Sequence, residues 1–117
     1  LKRVPGRRRV FVTADAVGGV WTYALDLARG LAARGDAVSL AVLGPPLAPD
    51  QRAEAERIPA LRLIETGLPL DWTANSDWDV RLAGRQLAAL AHAEGADLVH
   101  LNSPALAAGG DFALPVV

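Results

Sequence analysis

Two short stretches, far apart in the chain, carry residue types suited to holding a ligand. The first runs from Thr13 through Asp15 to the pair Gly18-Gly19, between an apolar segment and an amphipathic one. Glycines that open a helix let a ligand approach the backbone with no side chain in the way. The free N–H groups and the dipole of that helix favour an anion such as phosphate. A tight strand-to-helix turn also calls for glycine whatever binds there, so both readings stay open for Gly18 and Gly19. The second stretch, His100-Leu101-Asn102-Ser103, offers an imidazole, a carboxamide and a hydroxyl, all able to hydrogen-bond a polar substrate. Asp15, His100, Asn102 and Ser103 are therefore candidate contacts, with a core or strand-end role equally open for His100. None of them is assigned a catalytic role.

Competing phosphate motifs fail on spacing. A dinucleotide fingerprint needs G-x-G-x-x-G and an acid after the second strand, whereas this loop has an adjacent glycine pair and Leu43 is followed by Gly44-Pro45-Pro46. A P-loop needs Gly-Lys-Ser/Thr, but the sole lysine is Lys2. A phosphoacceptor domain wants aspartate at the end of the third strand, where Glu65-Thr66-Gly67 stands. The absence of cysteine removes disulfides, thiolate metal sites and cysteine nucleophiles, and two histidines leave little for an imidazole site. No metal or other cofactor is expected. A net charge of -1, from 12 basic and 13 acidic side chains, excludes a general nucleic-acid binder. No run reaches the roughly 18 apolar residues of a membrane-spanning helix.

The elements that must position these stretches alternate along the 117 residues, enough chain for one domain. Val10 to Thr13 is a short β-branched and aromatic run, read as a strand buried on both faces. From Gly19 to Arg34, Val20, Ala24, Leu27, Ala28 and Leu31 fall on one helical face, and Gly35 ends the helix. Ala37 to Leu43 is a second strand, Pro49 to Arg57 a short polar helix, and Leu61 to Ile64 a third strand. A loop spans Thr66 to Asn75. Ser76 and Asp79 form a capping box opening a helix with Val80, Ala83, Leu87, Leu90 and Ala91 on one side, ended by Gly95. Asp97 to Leu101 is a fourth strand, Ser103-Pro104 starts a short helix, and Leu114 to Val117 begins a fifth strand. This alternation predicts an α/β, Rossmann-like parallel sheet of about five strands in the order 3-2-1-4-5, with helices on both faces. Ligands in such sheets lie at the carboxyl ends of the strands where the winding reverses, here between strands one and four. That crevice is where the two stretches are expected to meet.

Residues 1–8 form a basic arm, with Lys2, Arg3, Arg7 and Arg8 followed at once by Arg9. Thr13, Asp15 and the glycine pair interrupt what an export signal needs as an apolar run. The arm is either solvated or drawn to anionic lipid. Trp72, in the loop after strand three, and Trp78 are suited to stacking on sugar rings, or else they anchor that loop to the core. Trp21 is read as interface or packing, and His92 as a surface residue.

The segment RVFVTADAVGGVWTYALDLARGLAARGDAVSLAVLG resembles the opening of the large retaining glycosyltransferase family related to glycogen and sucrose-phosphate synthases, glycosyltransferase family 4. ADLVHLNSPALAAGGDFALPVV resembles that family's later strand, helix and following P-V-V strand. The resemblance covers Arg9 to Val117. It implies the N-terminal, acceptor-side domain of a GT-B enzyme, in which two Rossmann-like domains face across a cleft and a sugar passes from a nucleotide-sugar donor to an acceptor with retention. By position, Gly18 and Gly19 match the glycine pair that approaches the donor diphosphate. His100, Asn102 and Ser103, with Asp15 and Trp72, are the acceptor-side candidates.

The family's active-site histidine follows the fifth strand, and its donor-binding C-terminal domain carries an E-x-F-G-type motif; neither lies within residues 9–117. The expectation is a partial N-terminal domain without turnover of its own. The implied partners are a nucleotide-sugar and a sugar or glycolipid acceptor. The implied location is the cytoplasm, with peripheral contact at the inner face of a membrane left open by the basic arm. The alternative is a non-catalytic Rossmann-like interaction module that forms a homodimer through its terminal strand.

Overall fold

The computed structural model describes residues 8–15, 19–68 and 77–101. Four strands, β1 (Arg9–Asp15), β2 (Ala37–Leu43), β3 (Leu61–Glu65) and β4 (Leu98–His100), form one sheet in the order β3-β2-β1-β4. Every pairing is parallel. Between the strands run α1 (Gly19–Ala33), α2 (Pro49–Glu56) and α3 (Asp77–Ala93). The order agrees with the expected 3-2-1-4; the segment read as strand five lies outside the described residues, as do the short helix before it, the cap residue Ser76 and residues 1–7 of the arm.

The sheet is sandwiched because its central strands bury both faces. All seven residues of β2 are buried, and so are the six from Val10 to Asp15. Side chains alternate along a strand, so each face of such a run needs its own cover. Val10, Val12 and Ala14 pack with Val38, Leu40 and Val42 under α1 and α2, through Trp21, Ala24, Leu25, Ala28 and Ala55. Phe11, Ala41, Leu43 and Val99 pack on the opposite side beneath Leu87 and Ala91 of α3.

Element ends shift by one or two residues from the sequence reading, and two boundaries and the phase of one helix have identifiable causes. β1 runs two residues further, through Ala14 and Asp15, because both pair in register with Val42 and Leu43 of β2. β4 is shorter than Asp97 to Leu101. Asp97 instead closes the edge, its carboxylate accepting the Arg9 N–H at 2.9 Å while its own N–H donates to the Arg9 carbonyl at 2.8 Å. The buried stripe of α1 is rotated to Trp21, Ala24, Leu25 and Ala28, leaving Val20, Leu27 and Leu31 at its margin. Burying a large apolar side chain is worth about 1.5–3 kcal/mol, so Trp21 and Leu25 set the phase of the helix. Trp21 is packing, as expected, and its Nε1–H points to Glu54 of α2 at 3.4 Å.

The glycines expected to stop α1 and α3 do so by the same closure. Gly35 (φ 91°) and Gly95 (φ 70°) take the left-handed conformation that side-chain-bearing residues avoid. The following residue then reaches back: Asp36 N–H to the Leu31 carbonyl at 3.0 Å, and Ala96 N–H to the Ala91 carbonyl at 3.1 Å.

Candidate functional site

The winding reverses between β1 and β4, where His100 lies opposite Val12 in register. Leu98 packs on the α1 side of the sheet, and alternation puts His100 on that same side. Tyr23 of α1 meets it there, with the phenol oxygen 3.4 Å from His100 Nε2. The two ring centroids are 5.8 Å apart and tilted by 39°. Tyr23 stands one turn after Gly19 on the helix that Gly19 opens. Segments 77 residues apart in the chain therefore converge at one point of the rim.

Gly19 is the first residue of α1 and is exposed. Its backbone is outside the left-handed region, and a Cβ placed on it meets nothing within 4 Å. Neither dihedral strain nor crowding demands glycine at this position. Among the described residues no atom crowds that Cβ position, and the first amides of the helix beside it are of the kind that suit an anion.

Asp15 ends β1 and is buried. Alternation places its side chain with Phe11 and Thr13 on the α3 side of the sheet, opposite to His100. Both residues reach the same rim from different faces, so they flank the end of the sheet and do not confront each other directly. Gly18, Trp72, Asn102 and Ser103 lie outside the described residues. His92 is exposed in the last turn of α3, as expected of a surface residue.

Sequence reasoning passed over Tyr23. A lone exposed aromatic leaves no periodic trace, and the available signal was its distance of four residues from Gly19, which sets both on one helical face. It also passed over a groove of about 520 Å³ on the same rim, beyond β2 and β3, lined by Val42, Gly44, Pro45, Pro46, Arg52 and Glu65. There Arg52 forks onto Glu65, with Nε to Oε2 and Nη2 to Oε1 both at 3.1 Å. Glu65 also accepts the Leu47 N–H at 3.0 Å. That backbone hydrogen bond chiefly, and then Arg52, hold the Glu65 carboxyl below its ordinary pKa, against a smaller opposing effect of desolvation. Among the described residues no three His, Cys, Asp or Glu side chains gather closely enough to hold a metal ion. No described helix is long and apolar enough to cross a membrane.

Comparison with known proteins adds two findings. Residues 17–117 match the family model described as Glycosyltransferase Family 4. The crystal structure of a glycosyltransferase from Rickettsia africae ESF-5 superposes with a TM-score of 0.60 at 17% sequence identity, over 88% of this chain and 26% of that one. At that identity the likeness concerns the fold, and the chain spans about a quarter of the length of that protein. Among curated proteins, none matches the sequence.

Proposed function

The chain belongs to glycosyltransferase family 4, and on that premise we propose that it is the acceptor-side domain of a retaining GT-B enzyme that moves a sugar from a nucleotide-sugar donor to an acceptor. One observation carries this reading: the contact of Tyr23 with His100 brings the opening of α1 and the end of β4 to the same switch point. In this reading the leaving diphosphate gathers negative charge as the glycosidic bond breaks. The amides around Gly19, fixed before the reaction, stabilise that charge as it grows, which lowers the barrier more than it tightens ground-state binding. The amides, rather than a metal ion, supply the positive potential from this side of the cleft. His100, and with it Asn102 and Ser103, hold hydroxyl groups of the acceptor. Groups from a facing domain complete the site, so this chain by itself binds the donor weakly and does not turn over. The reaction belongs to the cytoplasm, and the positive charges of residues 1–8 suit an anionic membrane surface.

Amide-resolved NMR of this chain, titrated separately with uridine diphosphate and with inorganic pyrophosphate, tests the reading. Shifts centred on Gly19 and Val20 are expected with both probes, and none with uridine. Perturbations confined to other surfaces, with the α1 amides unmoved, would remove the donor-phosphate assignment. The complete protein that carries this domain is then assayed for transfer from a panel of nucleotide-sugars.

A further inference from the structure

We propose that Tyr23 is a positioning residue for His100: its hydroxyl donates to Nε2 and so keeps the proton of the neutral imidazole on Nδ1. The use of this device for acceptor recognition rests on the function proposed above; the hydrogen bond itself does not.

Three observations lead to it. The phenol oxygen lies 3.4 Å from Nε2, at the long end of hydrogen-bonding range, with the ring centroids 5.8 Å apart and the rings tilted by 39°. Between a phenol and an unprotonated imidazole nitrogen, the phenol is the better donor and the nitrogen the better acceptor, which sets the direction of the bond. Tyr23 is also 51% exposed, so burial does not account for a large aromatic at this point of α1. Both side chains spring from regular elements, the second turn of α1 and the last residue of β4, and their separation is set by the packed sheet.

The consequence is chemical. An isolated histidine side chain prefers its proton on Nε2, and Tyr23 works against that preference. With Nε2 engaged, the ring offers substrate a single donor, the Nδ1–H, and its partner class is an oxygen lone pair, such as a hydroxyl of a saccharide acceptor. His100 thus orients an acceptor hydroxyl and does not deprotonate it through Nε2 while the Tyr23 bond stands.

The test labels the histidines of this chain with 15N and reads their tautomers by long-range 1H–15N correlation at pH about 8.5, where imidazole is ordinarily neutral. His92, exposed on α3, is the internal reference, and His100→Gln assigns the signals. The expected result is pyridine-type nitrogen at Nε2 of His100 and the ordinary pattern, proton on Nε2, at His92. Tyr23→Phe removes the hydroxyl while keeping the ring, and is expected to return His100 to the pattern of His92. An Nε2–H tautomer at His100 in the native chain, or an Nδ1–H tautomer that survives Tyr23→Phe, overturns the proposal; the native measurement decides even if the variant folds poorly. In the complete protein, Tyr23→Phe is expected to raise the acceptor KM about tenfold with donor KM unchanged. If the tautomer switches as stated and acceptor kinetics do not move, the acceptor-side role of His100 fails while the positioning by Tyr23 stands.

Discussion

At the N-terminal end of the sheet, polar side chains close onto one another. Arg9 Nη1 donates to Ser39 Oγ at 3.0 Å, Ser39 donates to Glu94 at 2.8 Å, and Arg62 pairs with the same Glu94 oxygen at 3.1 Å. Ser39 is fully buried, and the carboxylate of Glu94 is largely so. At the C-terminal end between β1 and β4 the pattern reverses. Gly19 is exposed and a Cβ on it meets no described atom within 4 Å, and the contact between Tyr23 and His100 is long and half exposed. Closed polar networks exclude water and hold strands in register, whereas polar groups turned toward solvent contribute little to stability and stay available to a ligand. The comparison teaches that closed polar contacts and solvent-facing groups are divided between the two ends of the same strands.

That division is open to attack by substitution. Phe11 belongs to neither end: it is wholly buried under α3, midway along β1. Phe11→Ala is expected to cost about 3–5 kcal/mol in denaturant unfolding, the largest effect here, and to broaden signals at both ends alike. Glu94→Ala strikes the closed end alone. It leaves the Ser39 hydroxyl without its acceptor and Arg62 without its partner, and is expected to cost about 1–3 kcal/mol with the pyrophosphate-induced shifts at Gly19 unchanged.

Gly19→Asp strikes the open end. A carboxylate in the first turn of α1 favours the helix by about 0.3–1 kcal/mol, so thermal stability is expected to hold or rise. The same charge repels a diphosphate, and pyrophosphate affinity by NMR titration is expected to fall at least about tenfold. A loss of stability without a loss of affinity would break the division at this end.

The smallest effect concerns Glu65, beside the groove. Its pKa is lowered in the folded state, so its contribution to stability is complete above the ordinary carboxylate value of about 4.3 and is lost as pH falls through the lowered folded value. Glu65→Gln is expected to cost less than about 1 kcal/mol at pH 7 and to flatten the acid limb of stability against pH. An unchanged limb would show that neither the Leu47 N–H nor Arg52 favours the charged carboxylate of Glu65.

How much of this was legible beforehand follows from the range of each signal. The unbroken apolar run of β2, and the glycines that close α1 and α3, are local: a residue's own burial or φ is enough to mark them. The strand order was reachable because parallel crossovers have one handedness and winding reverses at few places. The phase of α1 was not, since its apolar residues circle more than half the helix and only the partner surface decides that Trp21 and Leu25 face inward. The pairing of Arg52 with Glu65 depends on how α2 returns to β3, and no motif joins them. The opposition of Asp15 and His100 across the sheet depends on where β4 starts relative to β1, a register that neither strand records by itself.

β4 has consequences beyond the site. It docks beside β1 only when Asp97 meets Arg9, 88 residues later in the chain. During synthesis from the N-terminus, β1 can pair with β2 on one side as soon as α1 and β2 have left the ribosome. Its other flank, a buried strand in the finished sheet, stays open to solvent and to other nascent chains until the last third of these residues arrives. The seam between β1 and β4 is thus the latest of the described joints of the sheet to close, and a slow or interrupted translation of residues 77–101 would leave that flank of β1 exposed for longer.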